Sequence, residues 1–161
     1  MPGIYIHIPY CRQACYYCNF HFSVSQKNKL AFLSALKQEI ALSKNFFNKD
    51  KEPFEPVYLD TIYFGGGTPS LLSIEEIMDI LNEISRYYIY DKNTEITLEA
   101  NPDDLSQTKA DALYNSPVNR LSIGIQSFHN DNLEYMNRSH NKYQAERSIV
   151  NSKNAGFNNI T

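Results

Sequence analysis

Tryptophan is absent from this chain of 161 residues, and cysteine occurs only three times. The three thiols, Cys11, Cys15 and Cys18, share one stretch, "HIPYCRQACYYCNF", and no fourth follows. A clustered odd set points to metal or catalysis rather than to disulfides. No apolar run approaches the roughly 20 residues that cross a bilayer. Lysine and arginine number 15 against 18 acidic residues, for a formal net charge of -3. The basic footprint of a nucleic-acid binder is therefore missing. The opening "MPGIYIHIPY" lacks the charged region and apolar stretch of a signal peptide. Together these absences predict a cytoplasmic protein with no nucleic-acid partner. There is no internal repeat and no low-complexity tail.

What is present alternates. "GIYIHI" reads as a β-branched strand that runs straight into the cysteine loop. Ser23 with Gln26 makes a capping-box pattern, followed by Leu30, Leu33, Leu36 and Ile40 at helical spacing, with the helix ending near Lys44. A charged, proline-broken loop, "NKDKEPFEP", leads to a second strand, "VYLDTIYF", and then to "GGGTPSLLS". Ser73 and Glu76 form a second capping box, before a helix striped by Ile74, Ile77, Leu81 and Ile84. "EITLEA" reads as a third strand, "SQTKADALY" as a short helix and "NRLSIGIQSF" as a fourth strand. "HNDNLEYM" and "KYQAERSIVNSKNAG" read as helices, and "FNNIT" as the start of a fifth strand.

Strands separated by helix-length crossovers predict a parallel α/β sheet with helices outside. The unusual segments all follow strand C-terminal ends, the edge that carries the site in a (β/α) barrel. A doubly wound sheet obeys a similar rule at its switch point, so the pattern leaves both open. Four strands and a fragment do not close a barrel. The expectation is a single, incomplete domain over 1–161, truncated at the start of strand 5.

Thiolates at C-x3-C-x2-C select soft metals or clusters. A [4Fe–4S] cluster takes four ligands, so three cysteines leave one iron free for a small molecule. The alternatives are zinc with His21 as fourth ligand, or more weakly His7, and cysteines that hold no metal. Placement of the loop at a strand end favours the cluster. "GGGTP" lacks the Lys-Ser/Thr of a phosphate-binding loop. It is either a tight turn or a place where backbone approaches a ligand. Glu99 ends the third strand, Gln126 is a polar group in the apolar strand environment after "SIGI", and Arg138 is either a carboxylate clamp or a solvated loop charge; each has a plain structural reading beside the functional one. Ser127, His129 and His140 form no convincing triad and read as loop residues.

"YIHIPYCRQACYYCNF" resembles the signature of the radical S-adenosylmethionine (SAM) superfamily, and within it the coproporphyrinogen-oxidase-like branch. "GGGTPSLL", "EANP", "RLSIGIQSF" and "NRSH" extend the resemblance along essentially the whole chain. It implies a partial TIM-like barrel and a [4Fe–4S] cluster on Cys11, Cys15 and Cys18, with SAM chelating the fourth iron. It places Gly66, Gly67 and Thr68 at the methionine end of SAM and Glu99 on SAM. Gln126 and Arg138 fall at nucleotide or second-SAM contacts, with Tyr5 and Tyr17 nearby. In the branch's enzymes a reduced cluster donates an electron to the SAM sulfonium, and the C5′–S bond breaks.

Two kinds of protein share these motifs. Oxygen-independent coproporphyrinogen III oxidases decarboxylate propionates in porphyrin biosynthesis. HemW-type haem chaperones bind haem and pass it to haem proteins, including some at the membrane. The oxidases carry a further cysteine two positions after the third ligand, where this chain has Phe20. "EANP" and "GIQSF" are also closer to the chaperones. Tyr10 departs from the family's usual phenylalanine but keeps the ring. The chaperone resemblance implies haem as ligand, with its determinants outside this chain, haem-acceptor proteins as partners, and a homodimer supported by the cluster.

Overall fold

Residues 2–48 and 56–161 are described in a computed structural model. The charged loop read from "NKDKEPFEP" lies mostly outside the described residues. Four strands form one parallel sheet: β1 (Gly3–Ile8), β2 (Thr61–Gly66), β3 (Glu95–Ala100) and β4 (Arg120–Ile123). Their order in the sheet is their order in the chain. A doubly wound sheet reverses direction at a switch point. This one does not, so it is a barrel wall. Leu121 bridges in parallel to Ile160, placing a fifth extended segment beside β4.

Alternation along each strand divides the sheet into two faces. Ile6, Ile8, Ile62, Phe64, Ile96, Leu98, Leu121 and Ile123 are buried on one. The helices α1 (Lys29–Leu42), α2 (Ile74–Ser85), α3 (Gln107–Tyr114), α4 (Asn130–Tyr135) and α5 (Lys142–Ala155) connect the strands. The other face carries Tyr5, His7, Tyr63, Thr97, Glu99 and Ser122. Registers such as Tyr5 opposite Tyr63 and Glu99 opposite Ser122 align this polar row.

Two capping boxes were expected and one forms there. The Ser73 side chain accepts from Glu76 N while Glu76 caps Ser73 N, and Ile77, Leu81 and Ile84 are buried as the stripe requires. Ser23 does not cap α1. Its backbone bonds Pro9 O (2.6 Å) and Cys11 N (3.0 Å), tying the two ends of the cysteine loop together, and α1 starts later with Asn28 as N-cap. Leu30 is 79% exposed. Phe32 packs in its stead because its ring meets the buried Tyr10 edge-on, centroids 5.5 Å apart.

The second strand starts at Thr61, although Val57 and Leu59 before it are buried. The fourth stops at Ile123, five residues short of the expected end. Beyond it Ile125 N bonds Ile123 O and Ser127 N bonds Ile125 O, two successive three-residue turns. Gln126, at φ +66°, centres the second, which is the rare, strained hand of that turn. Gln126 is thus a turn residue and not part of a strand.

Candidate functional site

The loop after β1 is pinned at several points. Gly67 N bonds Ile8 O at 2.8 Å, and Cys18 N bonds Cys15 O at 3.1 Å in a tight turn. All three cysteines are free and partly buried. They line a cavity of about 230 Å³ at the C-terminal ends of the strands. Gly66, Gly67 and Thr68 close it from β2, Glu99 from β3, and Gln126 and Arg138 from beyond β4; Tyr17 comes from the cysteine loop itself. Ten of the eleven residues that the resemblance places on or near the cluster and SAM therefore meet in one place. Tyr5 does not. It is 59% exposed and lines a neighbouring cleft beside β1, its hydroxyl 3.2 Å from His7 Nδ1.

The glycines permit close approach. A Cβ on Gly67 would stand 2.8 Å from Tyr10 O and 3.0 Å from Cys11 Sγ. Gly66 sits at φ +109°, which side chains avoid, and a Cβ there would stand 2.6 Å from the His7 ring. Glu99 accepts from Tyr63 OH (2.7 Å) and Gly66 N (3.0 Å), which aims its carboxylate along the cavity wall. Thr68 Oγ1 donates to Cys11 Sγ at 3.4 Å. Burial pushes the Cys11 thiol up from its ordinary pKa, the Thr68 hydrogen bond opposing it.

Arg138 arrives through the end of α4. Asn137 N bonds Glu134 O and Arg138 N bonds Leu133 O, with Asn137 in the left-handed conformation at φ +54°, a Schellman ending. Asn137 then reaches across to Ala14 O (2.7 Å) and Gln13 (2.6 Å), while Tyr16 N bonds Met136 O (3.1 Å). The cysteine loop is clamped by a helix end. Arg138 itself donates to Cys15 Sγ, Tyr17 OH, Asn101 Oδ1 and Gly124 O.

A second clamp lies outside the cavity. Arg12, next to Cys11, donates twice to Asp104 Oδ1 (2.9 and 2.6 Å), and Ser70 Oγ donates to Asp104 Oδ2 at 2.6 Å. The Asp104 side chain is only 2% exposed, and its carboxylate knits the loops after β1, β2 and β3. Asn101, Gly124 and Asp104 were not singled out in sequence. Asn101 lies inside the quoted "EANP", but its role depends on a partner 37 positions away.

His140 is not a surface loop residue: it is 4% exposed. A carbonyl only accepts, so its Nε2–H donates to Ile125 O (3.0 Å) and supports the Gln126 turn. Nδ1 is buried without a hydrogen-bond partner among the described residues. Burial first, then the Arg138 charge, lowers its pKa below the ordinary 6.5. The folded state therefore resists protonation there. That stability is complete above the unfolded value and is lost as pH falls from about 6.5 toward the lower folded value. The melting temperature should fall across that window, and His140→Gln should flatten the slope. Identical slopes in thermal melts at pH 7.5 and 5.5 would refute this.

The zinc alternative fares poorly. His21 is exposed and lies on the neighbouring cleft, with its carbonyl accepting from His7 Nε2 at 3.1 Å. Of the four ligands such a site needs, the three cysteines line the cavity and neither histidine does. Tetrahedral zinc needs its ligands about 2.3 Å from a single centre. A cluster takes each thiolate on a different iron, and all three thiols line the one cavity. The glycine cradle beside Cys11 and the donors aimed at two sulfurs fit that group.

The Radical SAM superfamily profile matches residues 5–161. The chain is 38% identical over 158 residues to "Heme chaperone HemW" of Lactococcus lactis, covering 98% of this chain and 39% of the relative. It is 38% identical to "Heme chaperone HemW" of Bacillus subtilis, covering 100% and 41%. An oxygen-independent coproporphyrinogen III oxidase of Bradyrhizobium diazoefficiens is 30% identical over 78% of this chain and 27% of its own length. The chain thus spans about two fifths of the curated chaperones it matches. The solved coproporphyrinogen III oxidase HemN of Escherichia coli superposes with TM-score 0.84 at 26% identity, over 99% of this chain and 36% of that one. A solved SAM-bound protein, "Native anSMEcpe with bound AdoMet", shares the fold at TM-score 0.62 and 14% identity. With three thiols on the loop after the first strand, facing glycines on the second and a carboxylate on the third, and with this match along nearly its full length, the chain belongs to the radical SAM superfamily.

Proposed function

We propose that the protein is the barrel portion of a HemW-type haem chaperone. On this reading Cys11, Cys15 and Cys18 hold a [4Fe–4S] cluster and SAM occupies the open iron. The observation that carries it is the convergence of the three thiols with Gly66, Gly67, Thr68 and Glu99 around one cavity. The cluster supplies one-electron chemistry and a Lewis-acidic iron when bound. The chain's own residues do the placing. The glycines admit the ligand backbone, and Glu99 offers a carboxylate to an ammonium or to ribose hydroxyls. Gln126, Arg138 and Tyr17 line the same cavity. Tyr5 would join them only from the next cleft.

Chaperone is favoured over oxidase by Phe20, which stands exposed where the oxidases have a further cysteine, and by the higher identity to chaperones. Haem, its acceptor proteins, a homodimer and a cytoplasmic setting belong to the same proposal. No helix among the described residues is long and apolar enough to cross a membrane.

The test is anaerobic reconstitution with iron and sulfide, followed by EPR of the reduced protein with and without SAM. A [4Fe–4S] signal that changes on adding SAM is expected. One zinc per chain and no cluster signal would overturn the reading. Decarboxylation of coproporphyrinogen III under reducing conditions would move the assignment to the oxidase.

A further inference from the structure

Two of the three cysteine sulfurs receive hydrogen bonds from outside their own loop. Arg138 Nη1 stands 3.2 Å from Cys15 Sγ, and Thr68 Oγ1 stands 3.4 Å from Cys11 Sγ. Cys18 Sγ receives no side-chain donor among the described residues. The guanidinium does not depend on a ligand for its position. Its Nη2 is held by Asn101 Oδ1 (2.9 Å) and Gly124 O (2.7 Å), and the Schellman ending fixes the backbone beneath it. Among the described residues no carboxylate bonds it, and its Nε is buried without a hydrogen-bond partner. Among its described partners Cys15 Sγ is the one sulfur that the guanidinium reaches.

We propose that Arg138, with Thr68 in a lesser role, sets the electron affinity of the cluster through hydrogen bonds to the sulfurs of Cys15 and Cys11. This rests on the reading of the three cysteines as cluster ligands. Reduction adds one electron from an external one-electron donor to the cluster and its thiolates; no bond is made or broken. The added negative charge is stabilised by a fixed cation and by donors on the sulfurs, which raises the reduction potential. Arg138 brings a full positive charge to the sulfur and Thr68 only the dipole of a neutral hydroxyl, so Arg138 outweighs Thr68. The role is separate from any SAM contact because it operates with SAM absent.

The experiment is a dye-mediated redox titration followed by EPR, without SAM, on wild type, Arg138→Gln, Arg138→Lys and Thr68→Val, with iron and sulfide counted for each. Arg138→Gln should lower the reduction equilibrium constant at least tenfold, which is 59 mV for a one-electron couple. Arg138→Lys should lose less, since it keeps the charge, and Thr68→Val should also lose less than Arg138→Gln. A fully loaded Arg138→Gln protein with the wild-type midpoint overturns the proposal. Should that variant take up no cluster, Thr68→Val decides: a lowered midpoint supports the proposal and an unchanged one overturns it. A wild type that takes up no cluster overturns the reading of the cysteines, and this proposal with it.

Discussion

Alanine at Cys11, Cys15 or Cys18 should abolish stable cluster uptake on anaerobic reconstitution, while the apoprotein melts within a few degrees of wild type. The two halves have different causes. With three protein thiolates one iron is already left to a small ligand; removing another leaves two anchors, and the cluster is no longer held. The thiols, by contrast, are only partly buried and belong to no part of the main apolar core, so truncating one opens no core cavity. His21→Ala is the control. His21 lies away from the cavity, so that variant should load normally, whereas a Cys3His zinc site would lose its metal. Iron and sulfide counts together with the visible spectrum decide the matter. A single cysteine variant that loads like wild type would remove that thiol from the ligand set.

Gly67→Ala should cost about 1–3 kcal/mol, the usual penalty for forcing a methyl into filled space. For a chain of this size that is roughly 2–12 °C in melting temperature. The added methyl meets the carbonyls of Ile8 and Tyr10 and the sulfur of Cys11, at 3.0, 2.8 and 3.0 Å. Backbone carbonyls do not swing aside as a side-chain tip does, so the root of the cysteine loop has to move and Cys11 moves with it. Iron uptake should therefore drop along with stability. Gly66→Ala should behave alike for a second reason, its φ of +109°. Gly124→Ala is the comparison, because its nearest neighbour would be Arg138 Nη2 at 3.4 Å, an ordinary contact, and its melting temperature should stay close to wild type. A Gly67→Ala protein with wild-type melting and iron content would show that the close approach is not needed.

The parts of this molecule legible in sequence are those governed by neighbours in the chain. β1 and β3 carry their own alternation, and α2 carries both its cap and its stripe, so each was expected where it stands. Gly66 and Gly67 could be tied to a strand end because strand and turn are contiguous. The failures are places where distant groups take over the backbone. "SIGIQSF" alternates like a strand, yet Gly124 O is taken by Arg138 and Ile125 O by His140, side chains 14 and 15 positions later. Those carbonyls leave the ladder, and the chain bends into the Gln126 turn. Ser23 has the pattern of a cap, but its backbone is needed to close the cysteine loop. Tyr5 fits a motif position, and only the register of β1 shows its ring stacking on Tyr63 beside the cavity, centroids 5.9 Å apart.

The clamp of α4 on the cysteine loop has a temporal side. Asn137 and Arg138 grip residues 123 positions earlier in the chain. During synthesis at about 5–20 residues per second, the thiols exist for roughly 6–25 s before the helix end that braces them has been made. Contacts of such long sequence separation also close late in folding. The nascent loop thus passes through an interval with its ligands present and its brace missing, exposed to stray metals and oxidants. Cluster delivery after residue 138 has emerged would meet a loop already held in shape.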